Sequence, residues 1–178
     1  MELKGNLRDD KFKSLNQILE RQIDADYDLG ASMALAVDGE IVLDVWGGWA
    51  DEEHTKPWEA DTITNVWSTT KTMMFLTLLT LADRGEISLT DPVYKYWPEF
   101  KANGKEGIEI RHLMAHTAGL SGWTEPMVQD DLFNHDKCAA VLAAQAPWWT
   151  PGSQSGYHAI TQGYLIGELV KRVTGQSL

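Results

Sequence analysis

The chain has 178 residues, 43% hydrophobic and 23% charged, with a formal net charge of -11. That length suits one domain with a real core. The acidic balance, with Lys and Arg scattered and no basic stripe, argues against a nucleic-acid partner. The single cysteine, Cys138, rules out an internal disulfide and reads as a small buried residue on a helix. Residues 1–6 hold no apolar stretch of a secretory signal, and the most apolar run, 73–82, is too short to span a bilayer and contains threonines. The expectation is a soluble cytoplasmic protein with no membrane partner.

Residues 9–25 predict a helix, with Phe12, Leu15, Ile18, Leu19 and Ile23 on one stripe and Asp9 or Asp10 as cap. Residues 32–37 and 40–46 predict two strands around Asp38-Gly39, a favoured hairpin turn. A polar loop covers 50–60, and 62–66 reads as a short extended lead. A helix over 69–84 follows, apolar on nearly every side and therefore expected to be buried, with Gly85 at its end. Asp91-Pro92 reads as the start of a short helix, with Val93, Tyr96 and Trp97 inward and Pro98 ending it. A short helix over 111–115, a helix to about 144 capped by Asp136, and a last helix over 160–173 stopped by Gly175 complete the series. A two-strand hairpin is not a stable sheet alone, and no later run reads as a strand that would join it.

The join before the apolar helix carries Ser68-Thr69-Thr70-Lys71. A serine hydroxyl is a poor nucleophile until a base takes its proton. A lysine three residues on lies one helical turn away on the same face, and loss of water near a helix's positive end disfavours an ammonium. The motif alone leaves two readings: nucleophile with base, or a helix start with Ser68 as N-cap and Lys71 solvated. Pro151-Gly152 and Gly156-Tyr157-His158 offer a second candidate. A tyrosine held by glycines ahead of a helix can aim its phenol into a cleft and move a proton to or from a serine; plain packing of Tyr157 is the alternative. The eight tryptophans flank loops, which suits an aromatic-lined cleft, with Trp67, Trp123 and His158 as candidate substrate-binding residues. Core and hinge packing accounts for the tryptophans equally well. His112 and His116 stand four apart, a spacing that would put both imidazoles on one helix face. They lack the glutamate of the zinc-protease pattern, so structural histidines and no metal are expected. No Gly-x-Ser-x-Gly elbow, phosphate loop or dinucleotide-binding pattern occurs, and no cofactor is implied.

Five segments, taken together in order, resemble the serine β-lactamase and penicillin-binding-protein superfamily, and within it the class C-like esterases (family VIII carboxylesterases). They are residues 67–73 around Ser68 and Lys71, residues 81–87, Asp91-Pro92-Val93 with residues 96–100, residues 110–120, and Pro151-Gly152 ahead of Gly156-Tyr157-His158. The resemblance implies an α+β, β-lactamase/transpeptidase-like fold. Residues 1–60 would give the helix and hairpin of its α/β part, and 61–178 the helical part carrying Ser-x-x-Lys and the tyrosine loop. It further implies that Ser68 is acylated, Lys71 is its base, Tyr157 completes the proton path, and the Ser68 amide forms half of an oxyanion hole. The reaction would be two-step acyl transfer to water from a small-molecule ester or amide.

Two departures shape the expectation. The family's lactamases and peptidases usually carry Tyr-x-Asn, whereas Tyr157-His158-Ala159 ends in alanine. That favours an esterase over a β-lactamase or D,D-peptidase. The family's third motif, a Lys- or His-containing strand with glycine, is absent, and with it the C-terminal strands that complete the sheet. The sequence is thus expected to be the N-terminal half of such a domain, working with a complementary C-terminal segment or second chain. The alternative is a catalytically incomplete fragment or pseudoenzyme with a binding role.

Overall fold

Leu43 and Val45 are buried and Asp44 between them is exposed, and this period-two pattern organises the first part of the fold. The structure is a computed structural model that describes residues 2–178. The chain divides into two compact units, Met1–Asn65 and Val66–Leu178.

In the first unit, strands β2 (Gly30–Val37) and β3 (Glu40–Gly48) form the expected hairpin. Asp38 and Gly39 have φ of 50° and 84°, the paired positive values that a tight two-residue turn demands. Sequence reasoning misses a third strand, β1 (Lys4–Leu7), which pairs antiparallel with β3 so that Leu7 faces Leu43. The sheet order is β1-β3-β2. A four-residue strand containing Gly5 and Asn6 has no alternation to detect. It exists because β3 offers it a ladder. Gly5 is required there, since a Cβ would lie 2.1 Å from the Asp44 carbonyl oxygen. Helix α1 (Lys13–Asp24) lays Leu15, Leu19 and Ile23 against Leu43, Val45, Met33 and Leu35. Ile18, expected on that stripe, is 42% exposed, so the buried face is narrower than predicted.

The second unit packs α2 (Lys71–Asp83), α3 (Ile110–Met114), α4 (His135–Ala144) and α5 (Thr161–Thr174) around one core. Leu78, Trp97, Phe100, Leu113, Leu142 and Leu165 lie at its centre. Helix α2 corrects an expectation. Met74, Leu78 and Leu81 are buried, but Met73, Leu76 and Leu79 are 61%, 49% and 45% exposed. The helix is apolar all round, yet the described residues cover only one side of it.

Three local readings also change. Asn134, not Asp136, caps α4 by accepting the Lys137 N–H, while Asp136 pairs with Lys171 of α5 at 2.8 Å. Asp91 caps no α-helix. Its carboxylate accepts from the Ser88 N–H, the Lys95 ammonium and the Tyr96 hydroxyl, tying down a 3-10 turn over Val93–Lys95. Pro98 starts a second 3-10 turn, Pro98–Lys101, rather than only ending the first. Gly175, with φ of 75°, closes α5 as expected. No helix among the described residues is long and apolar enough to cross a membrane.

Candidate active site

Ser68 lies in a 3-10 turn, Trp67–Thr70, wound directly onto α2. Thr70 takes the N-cap position and no side chain caps the helix, so the capping alternative for Ser68 does not hold. Its hydroxyl faces Lys71 and Tyr157 instead. The turn begins at Trp67, a non-glycine residue with φ of 46° and an indole 80% exposed beside the serine. Left-handed backbone at a bulky side chain costs about 1–3 kcal/mol, and such strain gathers at functional sites.

Three side chains meet at the serine hydroxyl. Lys71 Nζ donates to Ser68 Oγ at 3.2 Å, and the Tyr157 hydroxyl donates to the same oxygen at 2.6 Å. Lys71 Nζ also donates to the Ala159 carbonyl oxygen at 2.8 Å and stands 5.1 Å from the Tyr157 ring centre. The two motifs are 89 residues apart in sequence and share one oxygen atom. The hydrogen bond to Ser68, then Lys71 beside it, hold the Tyr157 phenol below its ordinary value. Both favour the phenolate. Ser68 is exposed and Tyr157 is 54% exposed, so a small molecule can reach the cluster.

Behind Tyr157 the backbone is stitched to residues 116–120. Gly156 N–H donates to the His116 carbonyl and His158 N–H to His116 Nδ1, both at 3.1 Å. The His116 ring meets the Tyr157 ring edge-on, 4.8 Å between centres. His158 accepts the Leu120 N–H at Nε2, and its Nδ1 lies 2.6 Å from the Gly156 carbonyl. The carbonyl must accept, so His158 carries its proton on Nδ1. Thr161 Oγ1 donates to the Leu120 carbonyl, and Gln162 Nε2 to those of Leu113 and Met114.

The remaining candidates fall elsewhere. His158 is fully buried with both ring nitrogens engaged, so it supports the tyrosine segment rather than lining a cleft. Trp123 packs on the core, its N–H donating to the Cys138 carbonyl and its ring against Tyr164. His112 and His116 do not share a helix face, because α3 stops at Met114 and His116 turns left-handed with φ of 59°. His112 Nδ1 accepts the Glu109 N–H at the start of α3. No group of three or more His, Cys, Asp or Glu converges as a metal site among the described residues. The Ala159 carbonyl and the double grip of His116 escape sequence reasoning, since backbone acceptors leave no residue signature.

Residues 16–178 match the Beta-lactamase family. An esterase/beta-lactamase of Mycobacterium tuberculosis, LipL, is 44% identical over 149 residues, 84% of this chain and 34% of that protein. The esterase EstB of Burkholderia gladioli is 34% identical, over 84% of this chain and 42% of that protein. A crystal structure of a family VIII carboxylesterase superposes with a TM-score of 0.90 at 40% identity, over 99% of this chain and 48% of that one. A penicillin-binding-protein homologue of Caulobacter crescentus gives 0.92 at 37% identity, with 99% and 47% covered. The chain therefore spans less than half the length of these relatives.

Proposed function

The chain belongs to the beta-lactamase family, and from that premise we propose that it hydrolyses small carboxylic esters through an acyl-enzyme on Ser68. The observation that carries the reading is the convergence of Lys71 Nζ and Tyr157 OH on Ser68 Oγ, at 3.2 and 2.6 Å. As the hydroxyl attacks the ester carbonyl, its proton must leave along one of those two contacts. Lys71 is the base. Tyr157, its phenolate favoured by the same surroundings, relays the proton to the departing alcohol. Water then attacks the acyl-serine, the same pair takes its proton, and the acid is released. Trp67 offers an exposed apolar flank for the substrate.

Esters rather than β-lactams are the favoured substrates. The third place of the tyrosine motif is Ala159, whose methyl cannot bind a substrate amide and whose carbonyl is occupied by Lys71. EstB of Burkholderia gladioli, named as an esterase, agrees with that choice, while the name of LipL joins esterase and beta-lactamase. We take both units as parts of one β-lactamase-like domain that a complementary C-terminal segment or second chain completes. The exposed Met73, Leu76 and Leu79 face of α2 and the half-length match to relatives support this.

Hydrolysis of a chromogenic short-chain ester by the complete protein tests the reading. Ser68→Ala is expected to abolish turnover, and Tyr157→Phe to lower kcat by about 100-fold or more, the usual span for a lost proton-transfer group. Turnover unchanged in Ser68→Ala would remove the proposal.

A further inference from the structure

Tyr157 is 54% exposed and sits in an irregular segment, yet its hydroxyl lies 2.6 Å from Ser68 Oγ. A misplacement of about 1 Å in such a group can cost about 100-fold in rate. Something outside the three reacting side chains must hold it. We infer that His116 is the positioning residue for Tyr157, gripping the residues on both sides of the tyrosine and its ring at once. The inference rests on the role proposed above for Tyr157.

The grip has three points. The His116 carbonyl accepts the N–H of Gly156, and His116 Nδ1 accepts the N–H of His158, so both neighbours of Tyr157 are tied to one residue. The ring itself meets the phenol ring edge-on. The left-handed backbone of His116, φ of 59°, turns the carbonyl and the side chain toward the same segment. Glycine or asparagine would adopt that conformation at lower cost. Glycine would forfeit the Nδ1 acceptor and the ring, and asparagine the ring.

The acceptor role requires a neutral imidazole. Nδ1 faces a backbone donor, so the ring proton must sit on Nε2. Burial, then the Lys71 charge, hold the His116 pKa below its ordinary value, which keeps that nitrogen free to accept at neutral pH. The groups facing the ring are Lys71, Tyr157 and His158. His158, locked between Leu120 N–H and the Gly156 carbonyl, prevents the segment from sliding along its anchor.

The test follows the phenol directly. The chain has five tyrosines, and subtracting the Tyr157→Phe titration from that of the full-length protein isolates Tyr157 by tyrosinate absorbance. In the wild type its midpoint is expected below the ordinary 10.0, lowered by Ser68 and then Lys71. His116→Ala is expected to raise it to that value and to lower kcat on a short-chain ester about 100-fold with KM within about twofold. His116→Gln, whose amide sits one methylene too far out, gives the same shift should the alanine variant not fold. His116→Asn tolerates the left-handed backbone, keeps an acceptor near Nδ1, and restores the low midpoint and most of kcat. A folded His116→Ala or His116→Gln protein with an unmoved midpoint overturns the inference, as does a wild type whose Tyr157 titrates at 10.0. If the midpoints move as stated but no form hydrolyses an ester, the positioning role stands and the hydrolase reading falls.

Discussion

At the scale of single residues, Ser68, Lys71 and Tyr157 make a prediction about pH. The phenol of Tyr157 is held below 10.0 first by its hydrogen bond to Ser68 and then by Lys71. In the proposed relay the Tyr157 phenolate takes the proton on from Lys71, so kcat/KM should rise with pH and level off above the Tyr157 pKa. Lys71→Ala removes one of the two lowering causes and should move the rise to higher pH, with a lower plateau. A rise at the same pH in both proteins would separate Tyr157 from Lys71. The meeting of these three residues was legible only through the ordered resemblance of five segments, because Ser-x-x-Lys and Gly156-Tyr157 as local patterns each left a plain capping or packing alternative open. His158 and Trp123 were misplaced for an equally local reason. Adjacency to Tyr157 says nothing about which way a ring points, and Trp123 is an aromatic with an N–H that found a carbonyl in the core.

At the scale of elements, the helix ends and turns depend on side chains whose partners lie far along the chain. Lys105 is fully buried, donating to the carbonyls of Ala102 and Gln145 at the end of α4. Burial pushes its pKa down from 10.5 to about 8. Between these values the unfolded chain binds more protons than the native one, so this group adds stability as pH rises from about 8 to 10.5. Below that window the folded state carries the cost of a buried charge in full. Lys105→Met should flatten this part of the stability-pH curve, measured as the difference in Tm from wild type. It should also lower Tm at neutral pH, since each carbonyl stripped of a buried donor costs about 1–3 kcal/mol. Parallel curves for the two proteins would refute the assignment. No sequence pattern announces such a lysine, and none announces β1, whose four residues become a strand only because β3 is beside them. The hairpin, α5 and its Gly175 stop were readable because their signals are short-range. Asp136 was misread as a cap because Asn134, two residues earlier, supplies the same chemistry at the right backbone position.

At the scale of the whole molecule, the chain carries the proposed nucleophile, base and tyrosine on one unit, and leaves an apolar face of α2 exposed. The family membership and the fold were legible from five spaced segments. The exposure of Met73, Leu76 and Leu79 was not, because an all-round apolar helix reads as buried whatever covers it. The central claim is that Ser68 is activated by Lys71, and mapping the adduct of a fluorophosphonate on the complete protein tests it most directly. The account predicts a single adduct on Ser68, formed at least about 100-fold more slowly in Lys71→Ala, the scale of a lost general base. Modification at another residue, or labelling of Ser68 at an unchanged rate without Lys71, would contradict it.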